Sequence, residues 1–215
     1  MMKRWDEMYA LIRPYVPDAP ELAVIEAIKS TATDFFEKTH TWLYNTVPTP
    51  AEVGISDYEL DVPKGAVLAR VHQAWYDGNE LTPVGEDQAQ LMSRRYWMMS
   101  TGSPEYFSQQ EPCTLLLMPA PSTVVAGGSL IHATLALRPS RDATGLPGEL
   151  WDRYADPLSY GARARLHEIP NQSFSDNDQA LKFRRMYYGL VGAARADRNR
   201  GLTRATLVVR PNRMD

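Results

Sequence analysis

Arginine and lysine crowd the last sixty-odd residues. Lys182, Arg184 and Arg185 stand on an amphipathic stretch, and Arg195, Arg198, Arg200 and Arg204 gather at its end. Such a cluster can neutralise phosphates or an acidic protein surface. It also has a simpler use, since cations near a helix C-terminus are favoured by the helix dipole. Aromatic residues are not interleaved as single-strand stacking requires, so base reading is not expected. From Glu149 to Asp215 there are twelve Lys/Arg against eight Asp/Glu, a balance of +4, which leaves −7 for the rest of a chain whose net charge is −3. Asymmetry of this kind can mark an electrostatic partner.

Carboxylates offer a second possibility. Asp57, Glu59 and Asp61 alternate, and on one strand face they could ligate Ca²⁺. Charges along an exposed strand also guard a sheet edge, which is the commoner use. His40, His72, His132 and His167 are scattered, and the single cysteine, Cys113, gives them no partner at zinc spacing. No intrachain disulfide is possible, and folding in a reducing compartment fits. There is no G-x-S-x-G elbow and no P-loop. The Gly-rich piece Ala126-Gly127-Gly128-Ser129 leads into a strand, whereas a phosphate cradle leads into a helix. No catalytic residue, metal site or cofactor is expected.

The elements that would position these groups are legible in part. At 44% hydrophobic residues the 215-residue chain can bury a core and is not expected to be disordered. No apolar run nears the roughly 18 residues of a membrane span, and the N-terminus does not read as a signal peptide. Trp5, Met8, Tyr9 and Ile12 predict a short helix ended by Pro14 and Pro17. Asp18, with Glu21 three residues on, resembles a capping box that opens a helix from about Ala19 to His40. Leu22, Ile25, Ile28, Ala32, Phe35 and Phe36 are its expected buried stripe.

Beyond Pro48 and Pro50 the pattern turns to strands. Ala66–Tyr76 alternates, with Val67, Ala69, Val71 and Trp75 on one face and Arg70, His72 and Tyr76 on the other. Asp77-Gly78 is a type I′ hairpin signal, and Pro83 confines the return strand to an edge or an end. Gln88–Arg95 suits a short helix. Glu105–Gln109 and Cys113–Met118 suit paired strands, and Ser129–Arg138 closes the run.

Helical spacing returns at Leu150, Tyr154, Leu158 and Leu166, with a kink expected from Pro157 and close helix approach at Gly161 and Ala162. Ser175-x-x-Asp178 suits the start of a last helix, with Ala180, Phe183, Tyr187, Leu190 and Ala194 inward and Gly201 at its end. Thr203–Val209 alternates as a strand, with Leu207 and Val209 on one face and Arg204 and Arg210 near water, and it would have to pair with some sheet.

The expected class is α+β: a helical bundle formed by the N- and C-terminal segments, with an inserted antiparallel β module, sandwich- or barrel-like. The expected parts are 1–46 (helical body), 47–146 (β module) and 147–215 (helical body with a C-terminal strand).

A string of landmarks now carries a likeness. Pro17-x-x-Pro20 precedes Ala27-Ile28, Asp34-Phe35 and Trp42. Tyr58-x-Leu60 and Tyr76-Asp77-Gly78-Asn79-Glu80-Leu81 follow, then Gly102-x-Pro104-x-Tyr106 and Leu115-Leu116-Leu117-Met118-Pro119-x-Pro121. After them come Leu137-Arg138-Pro139-Ser140, Leu146-Pro147, Tyr154, Gly161-Ala162, and Asp178 with Phe183 in a long, Ala- and Arg-bearing last helix. In this order the chain resembles the head-to-tail adaptors of short-tailed bacteriophages. The resemblance implies a non-enzymatic virion protein of the neck or tail, assembled in the host cytoplasm. It implies a homo-oligomeric ring, commonly a dodecamer, between the portal protein and a tail or nozzle protein. Genomic DNA would cross the bore unread, and no membrane is involved. Arg195, Arg198, Arg200, Arg204, Leu207, Val209 and Arg210 are the candidate assembly residues. Two other classes compete: a small ligand- or carbohydrate-binding β module using Trp75, Trp97 and Tyr106, and an enzyme of unrecognised type using Asp57 or Asp61.

Overall fold

A computed structural model describes residues 2–85, 87–88, 101–109, 112–124 and 128–200. The described elements run β1 (Met2–Arg4), α1 (Trp5–Ile12), α2 (Glu21–Thr39), β2 (Leu43–Asn45), β3 (Thr49–Pro50), β4 (Asp57–Glu59), β5 (Ala66–Tyr76), β6 (Asn79–Glu80) and β7 (Thr82–Pro83). They continue with β8 (Thr101–Gly102), β9 (Tyr106–Ser108), β10 (Thr114–Met118), β11 (Ala120–Pro121), β12 (Leu130–Pro139), β13 (Gly145–Pro147), α3 (Gly148–His167) and α4 (Asn177–Arg200). The class is mixed α+β with mainly antiparallel sheets, one of them a half-barrel. The chain divides into two compact units, one of residues 1–41 and 139–215, the other of residues 42–138.

In the first unit α2 packs on α1, α3 and α4. Its buried stripe is Val24, Ala27, Ile28, Thr31, Ala32, Phe35, Phe36 and Thr39. Leu22, expected inside, is 77% exposed, and Ile25 is only half-buried. The stripe therefore begins on a face rotated from the one expected, although both share Ile28, Ala32, Phe35 and Phe36. Phe35 meets Phe36 edge-on at 5.3 Å between ring centroids and Tyr154 at 5.0 Å. These rings sit beside Tyr187 from α4, and aromatic groups of this size dominate core energetics.

The helix ends correct two expectations. Asp18 does not cap α2, which starts at Glu21 after Pro20 with no side-chain cap; proline with φ near −60° already presets the entry. Ser175 does not cap α4 either. The Asp176 carboxylate accepts the backbone N–H groups of Asp178 and Gln179, both at 3.0 Å. Ser175 instead ties the preceding loop, donating to the Ile169 carbonyl and accepting from the Gln172 N–H. Within α3, Tyr154 leaves helical geometry (φ −117°, ψ 19°) three residues before Pro157. That is where a proline ring clashes with the preceding turn.

Gly161 lets α3 approach its neighbours: a Cβ there would lie 2.3 Å from Thr31 Cγ2 and 2.9 Å from Tyr187 Cδ2. The ends of this unit are tied by β1, which pairs antiparallel with β13, Lys3 opposite Leu146. Gly145 belongs to that ladder, and a Cβ there would collide with the Lys3 backbone. The Trp5 indole donates to the Ala143 carbonyl at 2.6 Å.

The second unit holds sheets of order β2-β12-β5-β6, with β3 also on β12, and β4-β10-β9-β7. Asp77 and Gly78 both take positive φ (49° and 79°), as a type I′ turn demands. The return strand is β6. β7 then leaves for the second sheet, where Pro83 lies on an edge strand. β9 and β10 pair antiparallel, as their spacing suggested. Two short ladders, β7–β9 and β8–β11, are parallel rather than antiparallel.

The alternation expected along β5 fails: Leu68, Val71, Ala74 and Tyr76 are buried. β5 is an inner strand of a curved sheet and is partly covered on both faces, so a strict inside–outside period is not enforced. The Gln88–Arg95 helix and the Thr203–Val209 strand lie outside the described residues, apart from Gln88.

Candidate functional site

The polar groups of the first unit converge where α2, α3 and α4 meet. α2 brings Asp34 and, one turn later, Lys38, whose ammonium stands 2.7 Å from the Asp34 carboxylate. α4 brings Tyr187, whose hydroxyl donates to the other Asp34 oxygen at 2.7 Å. Burial alone would raise the Asp34 carboxyl. The hydrogen bonds from Lys38 and Tyr187 outweigh it and hold the group below its usual range. Its bond to Asp34 raises Lys38. Burial, with help from Asp34, pushes the Tyr187 phenol far above its usual value. The phenol therefore keeps its proton at neutral pH and acts as a fixed donor, not as a base.

Beside this trio lies a cleft of about 300 Å³ lined by Asp34, Arg165, Glu168, Arg184, Tyr187 and Tyr188. Arg184 is paired with Glu168. The arrangement holds charges in place.

A second cluster lies at α1 and α3. Arg163 is only 7% exposed. It stacks on Tyr15 with its guanidinium carbon 3.4 Å from the ring centroid, and it lies 5.5 Å from the rings of Tyr160 and Phe183. One guanidinium nitrogen, Nη2, donates to the Leu11 carbonyl at 2.9 Å, a carbonyl at the open end of α1. The Nε–H of Arg163 and the Oγ of Ser159 are both buried without a hydrogen-bond partner. Burial lowers the pKa of this guanidinium, and among the described residues it has no ion pair. Tyr15 and Leu11 remain exposed beside it.

The arginines expected to work in assembly fall out differently from one another. Arg195 donates its Nε–H to the Lys38 carbonyl at 2.6 Å, satisfying the last turn of α2. Arg198 is half-buried and Arg200 exposed. At roughly 100° per residue, Arg200 points well away from Arg195 and Arg198, so the three do not form one face. Arg204, Leu207, Val209 and Arg210 lie outside the described residues, as does Trp97.

Trp75 is stacked on His132 at 4.6 Å, which leaves one ring face fewer for a sugar. Asp57, Glu59 and Asp61 are exposed along β4 and just past it, an edge of its sheet, while Tyr58 and Leu60 point inward. Among the described residues no group of three His, Cys, Asp or Glu is placed to hold a metal ion, and no helix is long and apolar enough to cross a membrane.

Sequence reasoning missed Arg163 and the Asp34–Tyr187 link. Arg163 had only an indirect signal: it follows Gly161 and Ala162, the small residues at which close helix approach was expected. The Asp34–Tyr187 pair spans 153 positions, and no local pattern reports it. No family model and no curated protein matches the chain.

Proposed function

We propose that the chain is a structural subunit of a tailed-phage particle: a head-to-tail adaptor, one segment of a homo-oligomeric ring between portal and tail or nozzle protein. DNA passes the bore without being read, no cofactor takes part, and the protein works by assembly rather than catalysis. In this reading the helices from both ends of the chain form a bundle, and the strands between them form a sandwich- or barrel-like module. The observation that carries it is apolar surface concentrated in one stretch: Leu43, Val47, Val53 and Ile55 are all exposed, Val47 at 71%. Single exposed apolar residues are ordinary, but four within thirteen positions of sequence support a surface that meets a partner. The ordered landmarks of the adaptor resemblance and the basic helix α4, suited to phosphates or acidic protein, support the same reading.

Native mass spectrometry and electron microscopy of the purified chain, alone and mixed with the portal of its phage, test this. Closed rings, free or on the portal, are expected. A chain that stays monomeric in both mixtures and is absent from purified particles refutes it. The competing reading, a small-ligand module, has its best support in the 300 Å³ cleft, and a saturable ligand with no assembly would favour it.

A further inference from the structure

The cleft between α2, α3 and α4 is built at helical spacing. Arg165 stands one turn after Gly161 on α3, Glu168 follows just past its end, and Arg184 lies one turn before Tyr187 and Tyr188 on α4. The volume of about 300 Å³ lies at the lower end for ligand pockets and has room for about ten waters. Its rim is open to solvent: Tyr188 is 51% exposed, and the Arg184 side chain 49%.

The charges around it do not cancel. Asp34 has both oxygens engaged, one by the Lys38 ammonium and one by the Tyr187 hydroxyl. Glu168 is paired with Arg184. Arg165 is thus a third cation against two carboxylates, which leaves a balance of +1. It acts on Asp34 through space, but among the described residues it makes no hydrogen bond and no ion pair. The helix dipole favours a cation in the last turn of α3. That use is served by a solvated side chain, whereas Arg165 is half-buried in the wall of the cleft.

A planar guanidinium with uncommitted donors fits a carboxylate or a phosphate bidentately. The site discriminates between them by charge. A carboxylate brings one negative charge and leaves the set neutral. The second charge of a phosphate would stand beside Asp34 and Glu168 with no cation left to answer it. Next to the guanidinium, Gly161 and Ala164 present no polar side chain, and Tyr188 presents a half-exposed ring. We infer that the cleft binds a small organic monocarboxylate, with Arg165 holding the carboxylate and Tyr188 covering a flat apolar body. The inference concerns a single chain and stands whether or not a ring forms.

The test is calorimetric titration of the full chain at constant ionic strength with benzoate, its neutral isostere benzamide, and inorganic phosphate. Benzoate should saturate at one site per chain and bind at least about tenfold more tightly than either of the others, the advantage of a charge-assisted bidentate pair. Arg165→Met should lose that tenfold, and Arg165→Lys, which keeps the charge without the fork, should recover part of it. Arg70→Met, at an exposed arginine of the other unit, should bind as wild type. Benzamide or phosphate binding as tightly as benzoate overturns the inference, and so does the absence of saturation by about 10 mM benzoate. Equal affinity in wild type and R165M, or an equal loss in R70M, overturns it too. The comparison of benzoate with benzamide needs no variant, so it decides the matter even if R165M does not fold.

Discussion

Placing alanine at Gly161 puts the close approach of α3 to α2 and α4 under load. The new Cβ would stand 2.3 Å from Thr31 Cγ2, 2.9 Å from Tyr187 Cδ2 and 3.1 Å from Tyr187 Cε2. The shortest of these is more than roughly 1 Å inside the optimal carbon–carbon separation. Neither neighbour can give way freely. Thr31 is fully buried, and its hydroxyl is bound to the Ala27 carbonyl at 2.7 Å. The Tyr187 ring is pinned through its hydroxyl to Asp34. Overpacking of this kind costs about 1–3 kcal/mol. The better helix propensity of alanine returns about 1 kcal/mol. If the ring shifts enough to break its bond to the carboxylate, about 1.5–3 kcal/mol is lost as well. The expected net loss is about 0–2 kcal/mol if the ring keeps its bond and about 1.5–5 kcal/mol if it does not, read as a lower urea midpoint at unchanged slope. Gly189 and Gly192 in α4 supply the control, since a Cβ at either meets nothing within 4 Å. Alanine there should stabilise by up to about 1 kcal/mol each. Thr31→Ser removes the offending methyl and should recover part of the loss in the Gly161→Ala background, a coupling that a double-mutant cycle isolates. If Gly161→Ala stabilises as much as Gly189→Ala, the packing argument is wrong.

Other perturbations follow from the same geometry. Asp176→Ala should cost about 0.5–2 kcal/mol in urea denaturation by uncapping α4, more than Asp18→Ala, whose side chain caps nothing. Asp34 has a depressed pKa in the fold, so its contribution is present above its unfolded value near 3.8 and is lost as pH falls through its lower folded value. Asp34→Asn should accordingly flatten the acid side of a stability–pH curve, and an unchanged acid limb would contradict the assignment. Phe35→Ala should lose about 3–5 kcal/mol, while Leu22→Ser stays within about 0.5 kcal/mol of wild type; equal losses at both would return Leu22 to the core. If the proposed ring forms, reversing the charges of Arg195, Arg198 and Arg200 together should weaken it at low salt and less at high salt, with Arg195 adding a stability loss through the Lys38 carbonyl. Assembly indifferent to salt in wild type and variant alike would remove these arginines from the interface.

What the sequence disclosed was mostly local. The proline and glycine signals stood where chain geometry is decided within a few residues: Asp77-Gly78 turns a hairpin, Pro157 bends α3, and Gly161 admits a neighbour. The long helices were legible because Ile28, Ala32, Phe35 and Phe36 recur at helical spacing. Caps were misread by one or two residues, since Asp18, Ser175 and Asp176 are chemically alike and only backbone direction separates a cap from a loop tie. The facing of β5 was misread because curvature covers both sides of an inner strand. The candidate sites were the least legible. Arg163 acquires its meaning from Tyr15 and Leu11, about 150 positions away, and Tyr187 from Asp34, 153 positions away. Partners at that separation leave no periodic trace in a single chain.

The unit that holds both clusters is built from two stretches separated by the whole of the other, and this orders the events of synthesis. Residues 42–138 are contiguous and can pair while the chain is still being extended. α1 and α2 emerge before residues 42–138, yet much of the surface that covers Ile28, Phe35 and Phe36 comes with α3 and α4, made after them. The ladder between β1 and β13 likewise waits for more than 140 residues. Closing so long a loop adds only slowly growing entropy, but contacts this distant in sequence fold slowly. In that interval the apolar face of α2 is open to other nascent chains. The nascent α1 and α2 are therefore the segment on which a ribosome-associated holdase should be found, and a chain stalled before Pro139 should aggregate through them.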